Sequence, residues 1–306
     1  MTKKNIQPFS RYEQKQHGTS EFPYAIYHAK IPDFIHSYPL HWHDEIEWIF
    51  IISGQVIITL NKTPISASKG DIVLILPGVL HAIDQDQSHS AEYYNIVFDL
   101  SLLGQDTPSD FCFQTYLSSY RKETLSLPCL LPKDHSSHPK LKQSLTSLIE
   151  IYHSDNPAPE LYIKSQLFYL FWLLEPMQLK TQPSIPNQYH ISQIQKMKDF
   201  LLFIHANYAS PLTLKEAANF CGYSTSYFSK FFKSFTGMTL IEYLNHYRLK
   251  KAGDLLLTTS LSVIEISEIT GFENHSYFIR LFRKYYQTTP KQYRKQYALS
   301  SHTKSQ

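Results

Sequence analysis

Cysteine, glycine and charge are all sparse in this 306-residue chain, and each shortage removes a class of protein. The three cysteines, Cys112, Cys129 and Cys221, form no C-x-x-C pair, and an odd, scattered set suits a reducing compartment better than a disulfide framework. Nine glycines and 17 prolines exclude a collagenous or low-complexity chain. Charged residues are 18% of the total, against 42% hydrophobic and 14% aromatic, far from the composition that leaves a chain disordered. Long apolar runs are missing too. The longest, residues 167–174 (LFYLFWLL), is an eight-residue stretch, well short of the roughly 20 that a membrane helix needs. No apolar segment follows Lys3 and Lys4, so the N-terminus does not read as a secretory signal and the expected compartment is the cytoplasm.

At about twice the usual single-domain length, the chain is expected to form two domains, each with its own core. The net charge of +3 hides an asymmetry between them. Residues 1–190 carry 14 Lys and Arg against 19 Asp and Glu, net −5, whereas residues 191–306 carry 15 against 7, net +8. A basic C-terminal third is suited to a phosphate backbone, because each cation beside a phosphate releases condensed counterions.

From Pro39 to about Leu100, short β-branched and aromatic runs alternate with turn residues: EIEWIFII, Ser53-Gly54, QVIITL, Asn61-Lys62, DIVLIL, Pro77-Gly78 and AEYYNIVF. Four or more strands with no helix between them predict an antiparallel sandwich or barrel. The period then changes. Leu141, Leu145, Leu148, Ile149 and Tyr152 recur at helical spacing, and a second helix runs from Glu160 to Leu174 until Pro176 stops it. The apolar stripe Leu167, Leu170, Phe171 and Leu174 serves either its own domain or a two-fold dimer interface. Residues 181–190 (TQPSIPNQYH) read as a linker.

The last third contains an internal repeat. LTLKEAANFCG at 212–222 returns as LSVIEISEITG at 261–271, and YFSKFFK from Tyr227 returns as YFIRLFR from Tyr277. Each copy predicts a short helix after an N-cap (Thr213, Ser262), a glycine turn (Gly222, Gly271) and a second amphipathic helix, which is a helix-turn-helix. Small residues, Ala218 and Ser267, stand where the two helices approach. Phe228, Phe231 and Phe232, matched by Phe278, Leu281 and Phe282, should face the core. The other face then presents Ser226, Ser229, Lys230 and Lys233 in the first copy and His275, Ser276, Arg280 and Arg283 in the second, groups suited to base edges and phosphates. A helix of about 19 residues, 239–257, joins the copies.

On these motifs, residues 191–297 resemble the paired helix-turn-helix domain of the AraC/XylS family of bacterial transcription regulators. The stretches that carry the likeness are AANFCGYSTSYFSKFFKSFTGMT, EYLNHYRLKKAGDLL and ISEITGFENHSYFIRLFRKYYQTTPKQYR. By motif position the resemblance implies base reading by Ser226, Ser229 and Lys230, and by His275, Ser276 and Arg280. The family often has Arg where Lys230 stands and Ala where Ser267 stands; lysine weakens a bidentate guanine contact.

The sheet region resembles the cupin barrel: His41, His43, Glu47 and Gly54 fit H-x-H-x(3)-E-x(6)-G. Gly70, Gly78 and His81 follow at the spacing of the second cupin motif, with Pro77 one position late. His41, His43 and Glu47 share strand parity, so with His81 they offer a set able to hold Zn, Fe, Mn or Ni. The alternative use of the pocket is sensing an organic ligand through His41, His43, Glu47, His81 and Tyr93. Trp42, Trp48, Phe50 and Tyr94 add aromatic faces, although Trp48 and Phe50, set among isoleucines, read better as core. By resemblance the ligand is a carbohydrate, and residues 8–18 are an arm able to close over it.

The expectation is therefore an α+β chain of two domains. A cupin-like antiparallel barrel with a helical hairpin occupies 1–180, followed by a linker at 181–190. An all-α double helix-turn-helix domain occupies 191–306, with motifs at about 212–236 and 261–286. The resemblance implies a cytoplasmic homodimeric regulator, not an enzyme, an activator with RNA polymerase as partner or else a repressor. Its expected partners are double-stranded DNA and a sugar effector, with no membrane and no obligatory cofactor. Two alternatives stand beside it: a metal-dependent cupin enzyme fused to a DNA-binding domain, and a ligand-independent regulator whose cupin only dimerises.

Overall fold

A computed structural model describes residues 17–32, 37–87, 89–121, 129–131, 133–152, 154, 156–177 and 188–301. The chain forms two compact units, 1–31 with 41–190, and 32–40 with 191–306. The expected linker lies outside the described residues as far as 187; from Gln188 the chain is already helical.

Among the described residues, seven strands make one antiparallel sheet: β1 (Tyr24–Ile31), β2 (Ser37–His41), β3 (Ile46–Leu60), β4 (Thr63–Ser68), β5 (Ile72–Ile75), β6 (His81–Gln85) and β7 (Ala91–Phe98). The order is β1-β7-β3-β6-β2, with β4 and β5 also on β3. The fifteen residues of β3 therefore organise the sheet. Its first half, from Ile46, pairs with β5 and β7, and its second half, from Gln55, pairs with β4 and β6. The sequence suggested a turn at Ser53-Gly54 between two strands; instead the strand continues, with a bulge between Ile51 and Ser53. Bulges bend and twist a strand without ending it. Gly54 makes the bend possible, since its φ is +73° and a Cβ there would sit 1.7 Å from the Ser90 carbonyl oxygen. Asn61 and Lys62, both at positive φ, form the tight turn into β4.

Side chains alternate across β3. Ile46, Trp48 and Phe50 point to the face covered by α1 (His138–Tyr152) and α2 (Pro159–Leu174), joining a core with Leu141, Leu145, Leu148, Leu167, Leu170, Phe171 and Leu174. Burial of each such side chain is worth roughly 1.5–3 kcal/mol. The stripe Leu167, Leu170, Phe171 and Leu174 is thus consumed inside its own domain and is no dimer interface. A different face of α2 remains outside, where Leu161 and Trp172 are 74% and 62% exposed, with Phe168 and Tyr169 beside them.

The second unit contains α3 (Gln188–Asn207), α4 (Leu214–Cys221), α5 (Thr225–Thr236), α6 (Leu240–Thr258), α7 (Val263–Ile269), α8 (His275–Tyr286) and α9 (Pro290–Ser301). Reciprocal capping boxes start three of them: Thr213 with Glu216, Thr239 with Glu242, and Ser262 with Glu265. Gly222, in the left-handed region, ends α4, while α7 is capped at Thr270 and followed by Gly271. There a Cβ would lie 2.5 Å from the Ala209 carbonyl oxygen. Two arginines tie helix ends to the copies. Arg248 donates through Nε to the Tyr208 carbonyl (2.7 Å) and through Nη2 to that of Ser210 (3.0 Å). Arg294 does the same to the Leu256 (3.0 Å) and Leu261 (2.6 Å) carbonyls. These forks satisfy acceptors that a helix end leaves open.

Candidate nucleic-acid interface and histidine cluster

In both copies the second helix separates an apolar from a polar face. Phe228, Phe231 and Phe232 are buried on α5, as are Phe278 and Phe282 on α8, with Leu281 half-buried. Opposite them Ser226, Ser229, Lys230 and Lys233, and Ser276, Arg280 and Arg283, are exposed, and His275 is half-buried. The Ser229 hydroxyl donates to the Thr225 carbonyl (2.9 Å), so it has acceptor capacity left but its proton is engaged. The Arg280 guanidinium lies 5.5 Å from the Tyr277 ring centroid, a placement that orders a long side chain. Asn274, Ser276, Tyr277 and Arg280 line a cleft of about 390 Å³ at the start of α8.

The sheet unit has a different centre. His41 ends β2, His43 follows it, and His81 opens β6; all three are buried, and one ring nitrogen from each lies within 4.8 Å of the others. The rings of His41 and His81 are 4.0 Å apart by centroid, and those of His43 and His81 are 5.0 Å apart. Glu47, from the inward face of β3, brings Oε2 to 3.1 Å from both His43 Nε2 and His81 Nε2. The opposite ring nitrogens face backbone carbonyls: His43 Nδ1 is 3.2 Å from that of Glu45, and His81 Nδ1 is 2.9 Å from that of Val79. The Gly78 amide donates to the His43 carbonyl (2.8 Å), which is how the Pro77-Gly78 turn contributes.

Strand register adds the rest. Tyr93 and Asn95 on β7 lie opposite Ile51 and Ile49, on the face that carries Glu47. The Tyr93 phenol is pushed up by burial and by the Glu47 charge, and the buried Asn95 Oδ1 has no hydrogen-bond partner among the described residues. Trp48 and Phe50 belong to the helix-facing core. Two groups escaped the sequence reading. Asn95 carried no motif signal, and His17 lay within the segment read as an arm. His17 is buried, its Nδ1 3.0 Å from the Tyr27 hydroxyl and its ring 6.0 Å from that of His43. Positions 8–16 of that arm lie outside the described residues.

Comparison with known proteins follows the same division. Residues 27–171 match the AraC-like ligand binding domain, and residues 208–296 match a helix-turn-helix domain. The HTH-type transcriptional regulator YdeC of Bacillus subtilis is 28% identical over 288 residues, covering 92% of this chain and 95% of that protein. The TetD protein of transposon Tn10 from Escherichia coli is 37% identical over 108 residues, 35% of this chain and 76% of that protein. The C-terminal domain of the two-component response regulator yesN from Fusobacterium nucleatum is 40% identical, covering 33% of this chain and 98% of that chain, at a TM-score of 0.32.

Two carboxyl groups of the sheet titrate in opposite directions. Burial by itself would raise Glu47, but the His43 and His81 imidazoles outweigh it and hold the group well below the usual carboxylate range. Asp84 occupies the opposite face of β6 from His81, and burial pushes it up from 3.8 to about 6. An acid raised on folding stabilises the native state below its unfolded value and loses that stability as pH rises through the folded one. Asp84→Asn should therefore stabilise the chain by roughly 2–3 kcal/mol at pH 7.5, with the gain shrinking toward pH 4. Urea unfolding at the two pH values checks this; an equal gain at both would mean that burial of the charge is not the cause.

Proposed function

The chain belongs to the AraC family of DNA-binding transcription regulators with a ligand-binding domain, and on that premise we propose that α5 and α8 read double-stranded DNA while the histidine-lined face of the sheet binds a small-molecule effector. One observation carries the DNA reading: in both copies the serines and cations opposite the buried phenylalanines are exposed together, with His275 half-buried beside them. Ser226, Ser229, Lys230, His275, Ser276 and Arg280 face bases, with Lys233 and Arg283 on flanking phosphates. Arg280→Ala should relax preference at one base position and cost roughly 1–3 kcal/mol, whereas Lys233→Ala should weaken binding to every sequence alike and lower the salt slope by about one. Anisotropy titrations on selected and scrambled duplexes across a salt series distinguish the two, and identical behaviour would remove this division of roles.

A second copy of the chain is the partner that suits the outer face of α2. That helix is apolar on both sides, and a water-facing surface built of Leu161, Phe168, Tyr169 and Trp172 is costly for a lone protomer. Trp172→Glu should turn a dimer into a monomer in sedimentation velocity while leaving the far-UV circular dichroism of the folded chain unchanged. A native chain that sediments as a monomer at tens of micromolar would count against dimerisation.

For the effector, we place binding at His41, His43, Glu47, His81 and Tyr93, with Asn95 Oδ1 as an additional acceptor. A carbohydrate is the first class to test, because its hydroxyls would supply the donor that Asn95 Oδ1 lacks. Regulation requires that the effector bind the DNA-competent arrangement with a different affinity from the other. The buried imidazole set favours a second reading, a divalent transition metal on His41, His43 and His81 with Glu47 beside them. The residues fit such an ion: neutral imidazoles are its usual ligands, and carbonyls facing the far ring nitrogens orient those of His43 and His81. Thermal unfolding of chelator-treated protein against sugars and, separately, divalent metals decides between the readings. A sugar that raises the melting temperature with concentration supports the first. Stabilisation by metal alone, lost in His43→Ala, replaces it with the second.

A further inference from the structure

The two helix-turn-helix copies differ at the joint between their helices. Where the first has Ala218, buried against α5, the second has Ser267, 1% exposed. The Ser267 Oγ lies 2.9 Å from Nδ1 of His275, the first residue of α8. At the matching place in α5 the first copy has Thr225, so nothing equivalent forms there.

The chemistry of this pair sets its direction. A serine hydroxyl has one hydrogen, and a neutral imidazole has one between its two nitrogens. Among the described residues His275 Nδ1 is the only hydrogen-bond partner recorded for the Ser267 hydroxyl. If Nδ1–H were the donor, the serine hydrogen would be buried with no acceptor, and a buried unsatisfied donor is costly. The satisfied arrangement has the Ser267 O–H donating to Nδ1, which leaves the imidazole hydrogen on Nε2, the ring edge away from α7.

We propose that Ser267 is a specificity-setting positioning residue: it fixes His275 as an Nε2–H donor at the start of α8, so that the second copy selects a base-edge acceptor, purine N7, guanine O6 or thymine O4, and rejects the cytosine amino group at that point in the major groove. This rests on the reading of α8 as a DNA-contacting helix. Without the hydroxyl, His275 exchanges tautomers and accepts either a donor or an acceptor from the DNA, so discrimination falls while the helix stays in place.

The test uses the full chain with ¹⁵N-labelled histidine, and sequences selected from random duplexes by the native protein. In the native chain His275 should show a protonated Nε2 and an unprotonated Nδ1. Ser267→Ala, which introduces the residue already present as Ala218, should mix the tautomers. It should also lower the preference for the selected base by roughly 3- to 10-fold, leave the melting temperature unchanged, and have no further effect in a His275→Ala background. Ser267→Cys, close in volume but a weak donor, should behave in the same way and serves if the alanine variant is unstable. If His275→Ala alters base preference while both Ser267 variants leave tautomer and preference intact, the positioning role is wrong and the reading of α8 stands. If His275→Ala leaves base preference unchanged while Arg280→Ala alters it, α8 reads DNA without His275 and the proposal falls. If neither variant alters base preference, the reading of α8 itself fails.

Discussion

The two-residue period of β3 is the constraint on which the sheet unit depends. Along Ile46–Phe50 each step turns the side chain to the other face, so Trp48 and Phe50 go to the helices while Glu47 goes inward. A slip of one residue would bury the carboxylate among Leu145 and Leu167 and send an indole to the histidines. The register is held from both sides, by β5 and by β7. The bulge after Ile51 and the bend at Gly54 then let the same strand collect a second pair of neighbours, including β6, which starts with His81. The meeting of Glu47 with His81 follows from one strand that bends without ending.

Within that cluster the electrostatics are local. Glu47 is fully enclosed, yet two imidazoles 3.1 Å away keep it ionised in spite of the desolvation cost. Asp84, three residues after His81, has only the desolvation and is driven the other way. Proximity in sequence says little about a carboxyl group's charge; the strand face and its neighbours decide it. The backbone carbonyls of Glu45 and Val79 serve the same centre by orienting two rings.

The helical unit repeats one solution with changes. Caps of the same chemistry start α4, α6 and α7, and an arginine fork closes carbonyls at each copy. Duplication leaves the apolar phenylalanine face nearly unchanged, since a packed core tolerates little change in volume. Difference accumulates where side chains are exposed or where one small residue meets another helix, as at Ala218 and Ser267. A single hydroxyl in a joint can distinguish two copies built from the same pair of helices.

The sequence by itself determined the helix-turn-helix copies, because helix faces, caps and turn glycines are local features of period 3.6, and it singled out the imidazole set through H-x-H-x(3)-E, although the expected single strand is not formed: His41 ends β2, His43 lies in the loop after it and Glu47 stands on β3. It also placed Trp48 and Phe50 in the core. It did not determine that EIEWIFII and QVIITL are one strand, since a glycine at positive φ marks a turn and a bend alike. Nor did it show that the stripe at Leu167 and Leu170 is used up within the domain, or that His17 and Asn95 come to the Glu47 face. Those facts depend on strand pairing and helix docking between residues tens of positions apart, and only tertiary structure brings such residues together.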